Sequence, residues 1–380
     1  MKRIKVLLYV DRLCEGGGTQ SFIINLLNSK ITEQIYFDCL TQDDGVTYEI
    51  EDKLADKGIN VYKLPHVWLS GLKNLYAYNR ALEKFFKKHN YYDIVHVNGT
   101  SKEFLVLYYA KKYGIKNRIM HVHCTDFATS SKVKKIIGKC LKVFVKKYAS
   151  TFFACSNNAG VWLFGKDVVQ SDAFHYIPNA IDVNRYLYNS RIRTELRNKL
   201  DIRDDTIVIG NVSRFIKSKN HQFLIDFFCL YHQYNEKSIL CLCGDGIEME
   251  AVKAYAKDKG IFSKIYFCGN VNNVNEYLQI FDYFVFPSLY EGLGIAVIEA
   301  QAAGLPVLVF DKCVPRETGI TDSITYMNTN SDAKDWLLTI KRIEGRYPSR
   351  DSRVIEHNFK DKGFSTEDGW KLLYNIYSKL

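Results

Sequence analysis

Phe284-Val-Phe-Pro-Ser-Leu-Tyr-Glu-Gly-Leu-Gly-Ile-Ala-Val-Ile-Glu-Ala-Gln-Ala-Ala-Gly-Leu-Pro-Val-Leu-Val-Phe310 runs through strand, broken loop, short helix and strand in one stretch, and its reading decides the fold. Tyr283 to Phe286 is a continuous apolar run that suits a strand buried on both faces, and Pro287 and Ser288 stop it. Ile295 to Ala303 reads as a short helix closed by Gly304 and Pro306, and Leu305 to Phe310 as the next strand. Gly292 and Gly294 leave backbone amides open at the helix start, where the positive end of the dipole favours an anion such as phosphate. Glu291 falls in that loop and Glu299 inside the first turns. Two carboxylates around an anion site can accept hydrogen bonds from a polyhydroxylated, phosphorylated ligand. The competing reading is that they only offset the helix dipole, at about 0.3 to 1 kcal/mol each.

The same alternation extends along the chain and implies parallel sheets. A first set of strands is expected at Ile4 to Val10, Tyr36 to Leu40, Ile94 to Val97, Ile119 to His123, Thr151 to Cys155 and His175 to Ile177. A turn-rich segment, Pro178-Asn-Ala-Ile-Asp182, intervenes. A second set follows at Ile207 to Val212, Ser238 to Cys243, Lys264 to Cys268, Tyr283 to Phe286 and Val307 to Phe310. At 380 residues the chain is too long for one ordinary core and suits two α/β domains. The boundaries expected are 1–183 and 184–362, with an amphipathic C-terminal helix, 363–380, carrying Trp370, Leu373, Tyr374 and Ile376. No stretch has the length and apolarity of a membrane-spanning helix. The N-terminus imitates a signal peptide, but its apolar part ends at Asp11 without a small-residue cleavage site, so a first strand is expected there. Of ten cysteines, Cys241 and Cys243 are close in sequence without zinc-pair spacing, and they read as small buried hydrophobes.

Further motifs gather in the second half. Gly210-Asn-Val-Ser-Arg-Phe-Ile-Lys-Ser-Lys-Asn220 places Arg214 and Lys219 on one loop after a strand. A planar fork and a point charge together can clamp a diphosphate and stabilise it as a leaving group. Cys243-Gly-Asp-Gly246 and Phe267-Cys-Gly-Asn-Val271 end two other strands with tight turns. In the first half, Gly16-Gly-Gly-Thr-Gln20 follows the first strand and permits close backbone approach to a ligand, yet it is no dinucleotide fingerprint. His121 and His123 alternate at a strand end and share a face. Either can bond a sugar hydroxyl, and no third ligand of sensible spacing joins them for a metal.

The Phe284–Phe310 run resembles the E-x7-E signature of family 4 of the retaining glycosyltransferases, group 1, of capsular and exopolysaccharide type. That resemblance implies an α/β chain with the GT-B fold, two Rossmann-like domains facing each other across a cleft, the first on the acceptor side and the second binding a nucleotide sugar. It puts Glu291 beside the donor sugar, Leu293 and Gly294 at the phosphates, Glu299 on the ribose, and Ile295 in the donor site. Arg214 and Lys219 match the family's diphosphate-binding pair, and His123 the histidine by the donor sugar. His123, Arg214, Lys219 and Glu291 are therefore the expected catalytic residues. Gly17, Gly18, Gly244, Gly246 and Asn270 join the expected donor site. Three positions depart from the family pattern: Thr19 and Gln20 stand where Ala-Glu is usual, Ile247 replaces a proline, and Asn98 stands where relatives often carry a second histidine.

The charge is uneven. Of 52 Lys+Arg and 42 Asp+Glu, residues 1–183 hold 26 and 17. Seven lysines and no acid lie between 131 and 149: Lys132, Lys134, Lys135, Lys139, Lys142, Lys146 and Lys147. With Val133, Ile137, Cys140 and Phe144 they describe a basic amphipathic helix, able to meet an anionic membrane surface or, alternatively, to pack its apolar stripe on a core. No nucleic-acid module accompanies them, so nucleic acid is not an expected partner. The expectation is a metal-independent hexosyltransferase without a bound cofactor, using a nucleotide diphosphate sugar as co-substrate. Its acceptor is a saccharide or lipid-linked saccharide, met in the cytoplasm or at the cytoplasmic face of the membrane. A silent sugar-nucleotide or glycan binder, or a sugar-nucleotide epimerase, shares the fold. A P-loop kinase or a dehydrogenase is excluded because neither fingerprint is present.

Overall fold

A computed structural model describes residues 3–13, 18–66, 71–127, 131–345 and 350–380. The chain forms two compact units, one of Met1–Ile181 with Thr366–Leu380 and one of Asp182–Ser365. The division falls at Ile181/Asp182 and Ser365/Thr366, where sequence reading put it near 183 and 362. Within the first unit the Thr366 amide donates to the Ile181 carbonyl, which fixes the point where the C-terminal tail rejoins it.

The first unit holds a seven-stranded parallel sheet. Its strands are β1 (Ile4–Tyr9), β2 (Ile35–Asp43), β3 (Val61–Pro65), β4 (Ile94–Asn98), β5 (Asn117–Val122), β6 (Thr151–Ala154) and β7 (Phe174–Tyr176), in the order β3-β2-β1-β4-β5-β6-β7. The N-terminal apolar run is thus a central strand. The tail helix Thr366–Tyr377 sends Leu373 and Tyr377 into a core that contains Val6, Leu8, Ile94 and Phe153.

The second unit holds six parallel strands, β8 (Ile207–Val212), β9 (Ser238–Cys243), β10 (Ile265–Gly269), β11 (Tyr283–Phe286), β12 (Val307–Phe310) and β13 (Ile324–Met327), in the order β10-β9-β8-β11-β12-β13. Strands β11 and β12 are buried at every position. Covering helices on both faces explain their unbroken apolar runs. Sequence reading missed β3 and β13. Each is an edge strand with one neighbour, and their mixed sequences, Val-Tyr-Lys-Leu-Pro and Ile-Thr-Tyr-Met, carry only one fully buried residue apiece.

In both sheets the strand order reverses next to the first strand of the unit, at β1/β4 and at β8/β11. In open α/β sheets, loops leaving the carboxyl ends of strands at such a switch point form the ligand crevice. Those loops carry the candidate residues.

Candidate active site

In the second unit, the loop after β8 is held against the loops that leave both of its neighbours. The amides of Ser213 and Phe215 donate to the carbonyls of Cys243 and Asp245 at 3.0 and 2.8 Å. On the other side the Leu289 amide and the Ser288 hydroxyl donate to the Ser218 carbonyl at 2.8 and 3.1 Å. Close approach sets the glycine requirement after β9. A Cβ on Gly244 would lie 2.0 Å from the Ser213 carbonyl oxygen, and one on Gly246 2.4 Å from that of Phe215. Asn270 is exposed just beyond β10, and Ile247, in the place of a proline, is 89% exposed.

This arrangement brings Lys219 to Glu291: the ammonium donates to the carboxylate across 72 positions of sequence. Their side chains are only 15% and 10% exposed, and the ammonium also lies 5.2 Å from the centre of the Phe286 ring. Arg214 is exposed, and its guanidinium makes no hydrogen bond or ion pair among the described residues. Gly294 caps the helix Ile295–Ala302 in the left-handed region, at φ 87°. The backbone amides of Leu293, Gly294 and Ile295 have no hydrogen-bond partner among the described residues, although Leu293 is buried. Donors left this way at a helix start suit an anion.

Glu299, one turn into that helix, accepts a hydrogen bond from the Tyr186 hydroxyl at 2.8 Å. Burial pushes its carboxyl up to about 7, against the pull of Tyr186 and Arg185. Tyr186 escaped sequence reading because it lies 113 positions away with no motif around it. So did a third thiol beside Cys241 and Cys243. Both of those are buried as expected, and Cys268 on the neighbouring strand brings its sulfur to theirs.

In the first unit, His121 and His123 do share a face, their ring centres 3.9 Å apart. His123 bonds through Nε2 to the Asn98 side chain at 2.9 Å and through Nδ1 to that of Asn179 at 3.2 Å. Asn98 therefore holds the imidazole in place. His96 joins them from β4, bonding His121 at 3.1 Å and the Tyr377 hydroxyl at 2.5 Å. Burial pushes His96 and His123 down to about 3 and His121 well below its usual value, so all three rings are neutral. Beside the end of β1, Lys102 pairs with both Asp11 and Glu103. Burial raises Glu103 to about 7 against the pull of Lys102. Gly18 begins the helix Gly18–Asn28, and Gly17 lies outside the described residues.

The model of the glycosyl transferases group 1 matches residues 192–357, and that of glycosyltransferase family 4 matches residues 16–185. The Bacillus subtilis (strain 168) protein EpsF, named as a glycosyltransferase, is 27% identical over 98% of this chain and 96% of its own. The UDP-Gal:alpha-D-GlcNAc-diphosphoundecaprenol alpha-1,3-galactosyltransferase of Escherichia coli is 28% identical over 60% of each chain. Anabaena HepE, crystallised with UDP-glucose, superposes with a TM-score of 0.80 over all of both chains at 15% identity, a likeness of fold. The two family matches cover each unit in turn, and the chain belongs to the group 1 glycosyltransferases of family 4, with the GT-B fold of two Rossmann-like domains.

Proposed function

We propose that the chain moves a sugar from a nucleotide diphosphate sugar to a hydroxyl of a lipid-linked saccharide in cell-envelope polysaccharide assembly, with retention at the anomeric carbon and no metal in the transfer step. One observation carries the reading: the Arg214 guanidinium, without a partner among the described residues, stands on the loop whose Lys219 is paired to Glu291, at the carboxyl ends of β8 and β11. Negative charge grows on the diphosphate as the glycosidic bond breaks, and groups aimed at that charge lower the barrier. The Arg214 fork and the amides of Leu293, Gly294 and Ile295 supply donors for it. An arriving diphosphate competes with Glu291 for the Lys219 ammonium, which frees the carboxylate to accept from a sugar hydroxyl. Glu299, one turn into the helix that follows, accepts from the ribose in this reading, and the turns at Gly244, Gly246 and Asn270 border the base. His123 of the first unit meets a sugar hydroxyl with its neutral imidazole in exchange for its bond to Asn98 or Asn179. The departing phosphate then takes the acceptor proton, so attack and departure share one face.

The lipid-linked acceptor is supported by the E. coli relative, whose name gives a diphosphoundecaprenol substrate. It is also supported by the basic helix Lys132–Tyr148. Val133, Ile136 and Val143 on that helix are 65%, 61% and 67% exposed, with Ile137 and Phe144 beside them. Its core-facing positions are Gly138 and Val145. The apolar stripe thus faces outward, among lysines, the arrangement that suits an anionic leaflet. Among the described residues no helix is long and apolar enough to cross a membrane.

The test is a donor panel of UDP-, GDP- and ADP-sugars with and without an undecaprenyl-diphosphate saccharide. Nucleotide release that requires acceptor, insensitivity to chelator and a retained anomeric configuration in the product are expected. Donor turnover to an epimer without acceptor, or binding with no release, would replace the reading with one of its two rivals.

A further inference from the structure

Cys241 and Cys243 lie two residues apart on β9, and Cys268 lies on β10 beside it. None is in a disulfide. Side chains two apart on a strand leave the backbone about 6.6 Å apart. Yet all three Sγ atoms lie within 4.8 Å of one another, with Cys241 and Cys268 at 3.3 Å. The side chains of β9 therefore lean toward a common point. The third thiol reaches it through an irregularity in the sheet. Phe267 is paired with Leu242 and Gly269 with Cys243, so Cys268 is an extra residue in the register. A bulge of this kind re-aims a side chain. Burial of small apolar groups accounts for each cysteine singly, but it does not require three sulfurs to meet.

We propose that Cys241, Cys243 and Cys268 form a site for one thiophilic metal ion of the zinc class, which ties the end of β9 to the end of β10. Metal–sulfur bonds of about 2.3 Å put three sulfurs roughly 4 Å apart around one ion, inside the spacing found here. Binding displaces one proton from each thiol. A divalent ion with three thiolates keeps one net negative charge and one open position, which water fills. Cys241 and Cys243 are buried and Cys268 is half-buried, so the open position and the entry route lie on the Cys268 side. The role is structural. Gly244, next to Cys243, donates its amide to the Gly269 carbonyl, next to Cys268, at 2.7 Å. An ion at the sulfurs would lock that pair of turns whether or not they border a nucleotide.

The test uses the full chain, reduced and freed of metal, titrated with Co²⁺ and separately with Cd²⁺. A thiolate-to-metal charge-transfer band saturating at one equivalent and abolished by excess Zn²⁺ (in the Co²⁺ titration) is expected, with a higher thermal midpoint in Cd²⁺. Cys268→Ala should lose both the band and the shift, while Cys140→Ala, which removes an exposed thiol elsewhere, should keep them. Absence of the band in the wild type, or its survival in Cys268→Ala, overturns the proposal. Because Cys268 is half-buried, the circular dichroism of metal-free Cys268→Ala distinguishes a lost ligand from a lost fold. None of these readouts depends on glycosyl transfer, so the metal site and the donor reading fail separately.

Discussion

The Lys219 ammonium rests on the Glu291 carboxylate, with both side chains largely withdrawn from water. Removing one member of such a pair takes from the other, largely buried charge the opposite charge that directly offsets it, which typically costs about 3 to 5 kcal/mol, whereas removing both costs far less. Lys219→Ala should therefore be less stable than Lys219→Ala/Glu291→Ala in urea unfolding. Turnover should stay down, by roughly a hundredfold or more, in both variants, because the leaving diphosphate has lost its cation. A double variant that regained turnover along with stability would remove Lys219 from the chemistry.

Glu299 gives a pH signature with a definite sign. Its carboxyl titrates near 4.5 when unfolded and near 7 in the folded chain, so between those values the folded state holds a proton that the unfolded state has lost. Its contribution to stability declines as pH rises through that window and is constant beyond it. Glu299→Gln should flatten this part of the profile, by roughly 1 to 3 kcal/mol across the window. Affinity for the nucleotide sugar should rise through neutrality in the wild type as the carboxylate forms, and stay level in Glu299→Gln. A nucleotide sugar has no phosphate proton to lose near neutrality, so the titration belongs to the protein.

Much of this was legible because local chemistry and global fold agree. Strands β11 and β12 are buried on both faces, so their sequences are unbroken apolar runs, and the loop between them announces itself through Gly292, Gly294 and the two glutamates. Strands β3 and β13 were not legible, since a half-solvated edge strand need not keep any strict pattern. Pairings across sequence were hidden as well. Nothing near Lys219 indicates that its ammonium would rest on Glu291, nor anything near Tyr186 that it would meet Glu299. Cys268 joins Cys241 and Cys243 only because the register of β10 slips by a residue, and spacing in sequence carries no trace of that.

The Arg214 guanidinium differs from the Lys219 ammonium in having no partner among the described residues. Arg214→Ala should leave the thermal midpoint within about 2 °C of wild type, since an exposed, unpaired side chain carries little stability. Affinity for the donor should fall on the order of tenfold to a hundredfold, and the dependence of that affinity on salt should weaken. Calorimetric titration at two ionic strengths checks both. Arg214→Lys should recover only part of the loss, because an ammonium cannot form the bidentate contact.

The histidines of the first unit act in the opposite pH direction from Glu299. His96 and His123 titrate near 3 when folded against an ordinary 6.5, so below 6.5 the unfolded chain binds protons that the folded chain refuses. Stability from this cluster is complete above 6.5 and is lost as pH falls toward 3. Acid unfolding should begin within that window. His96→Gln, which keeps a polar partner for Tyr377 and His121, should shift the midpoint of acid unfolding to lower pH even though it is less stable near neutrality.

The helix Lys132–Tyr148 sets a test in which only some of the lysines count. Lys135 is paired with Asp126 at 3.1 Å and Lys146 with Asp167 at 2.9 Å, while Lys142 donates to the Trp162 carbonyl and lies 4.2 Å from the centre of its ring. Those three are engaged with the fold, and changing them would confound docking with local packing. Lys132 and Lys139 are exposed, as are Val133, Ile136 and Val143. Each lysine near an anionic leaflet is worth about 1 kcal/mol, so Lys132→Gln/Lys139→Gln should weaken binding to phosphatidylglycerol vesicles by roughly tenfold to thirtyfold. Binding to neutral phosphatidylcholine should be weak for every variant. Ile136→Ser/Val143→Ser should weaken binding at high salt, where charge is screened and apolar insertion remains. If neither pair of substitutions changes cosedimentation with anionic vesicles, the outward stripe has another occupant and the acceptor need not be membrane-borne.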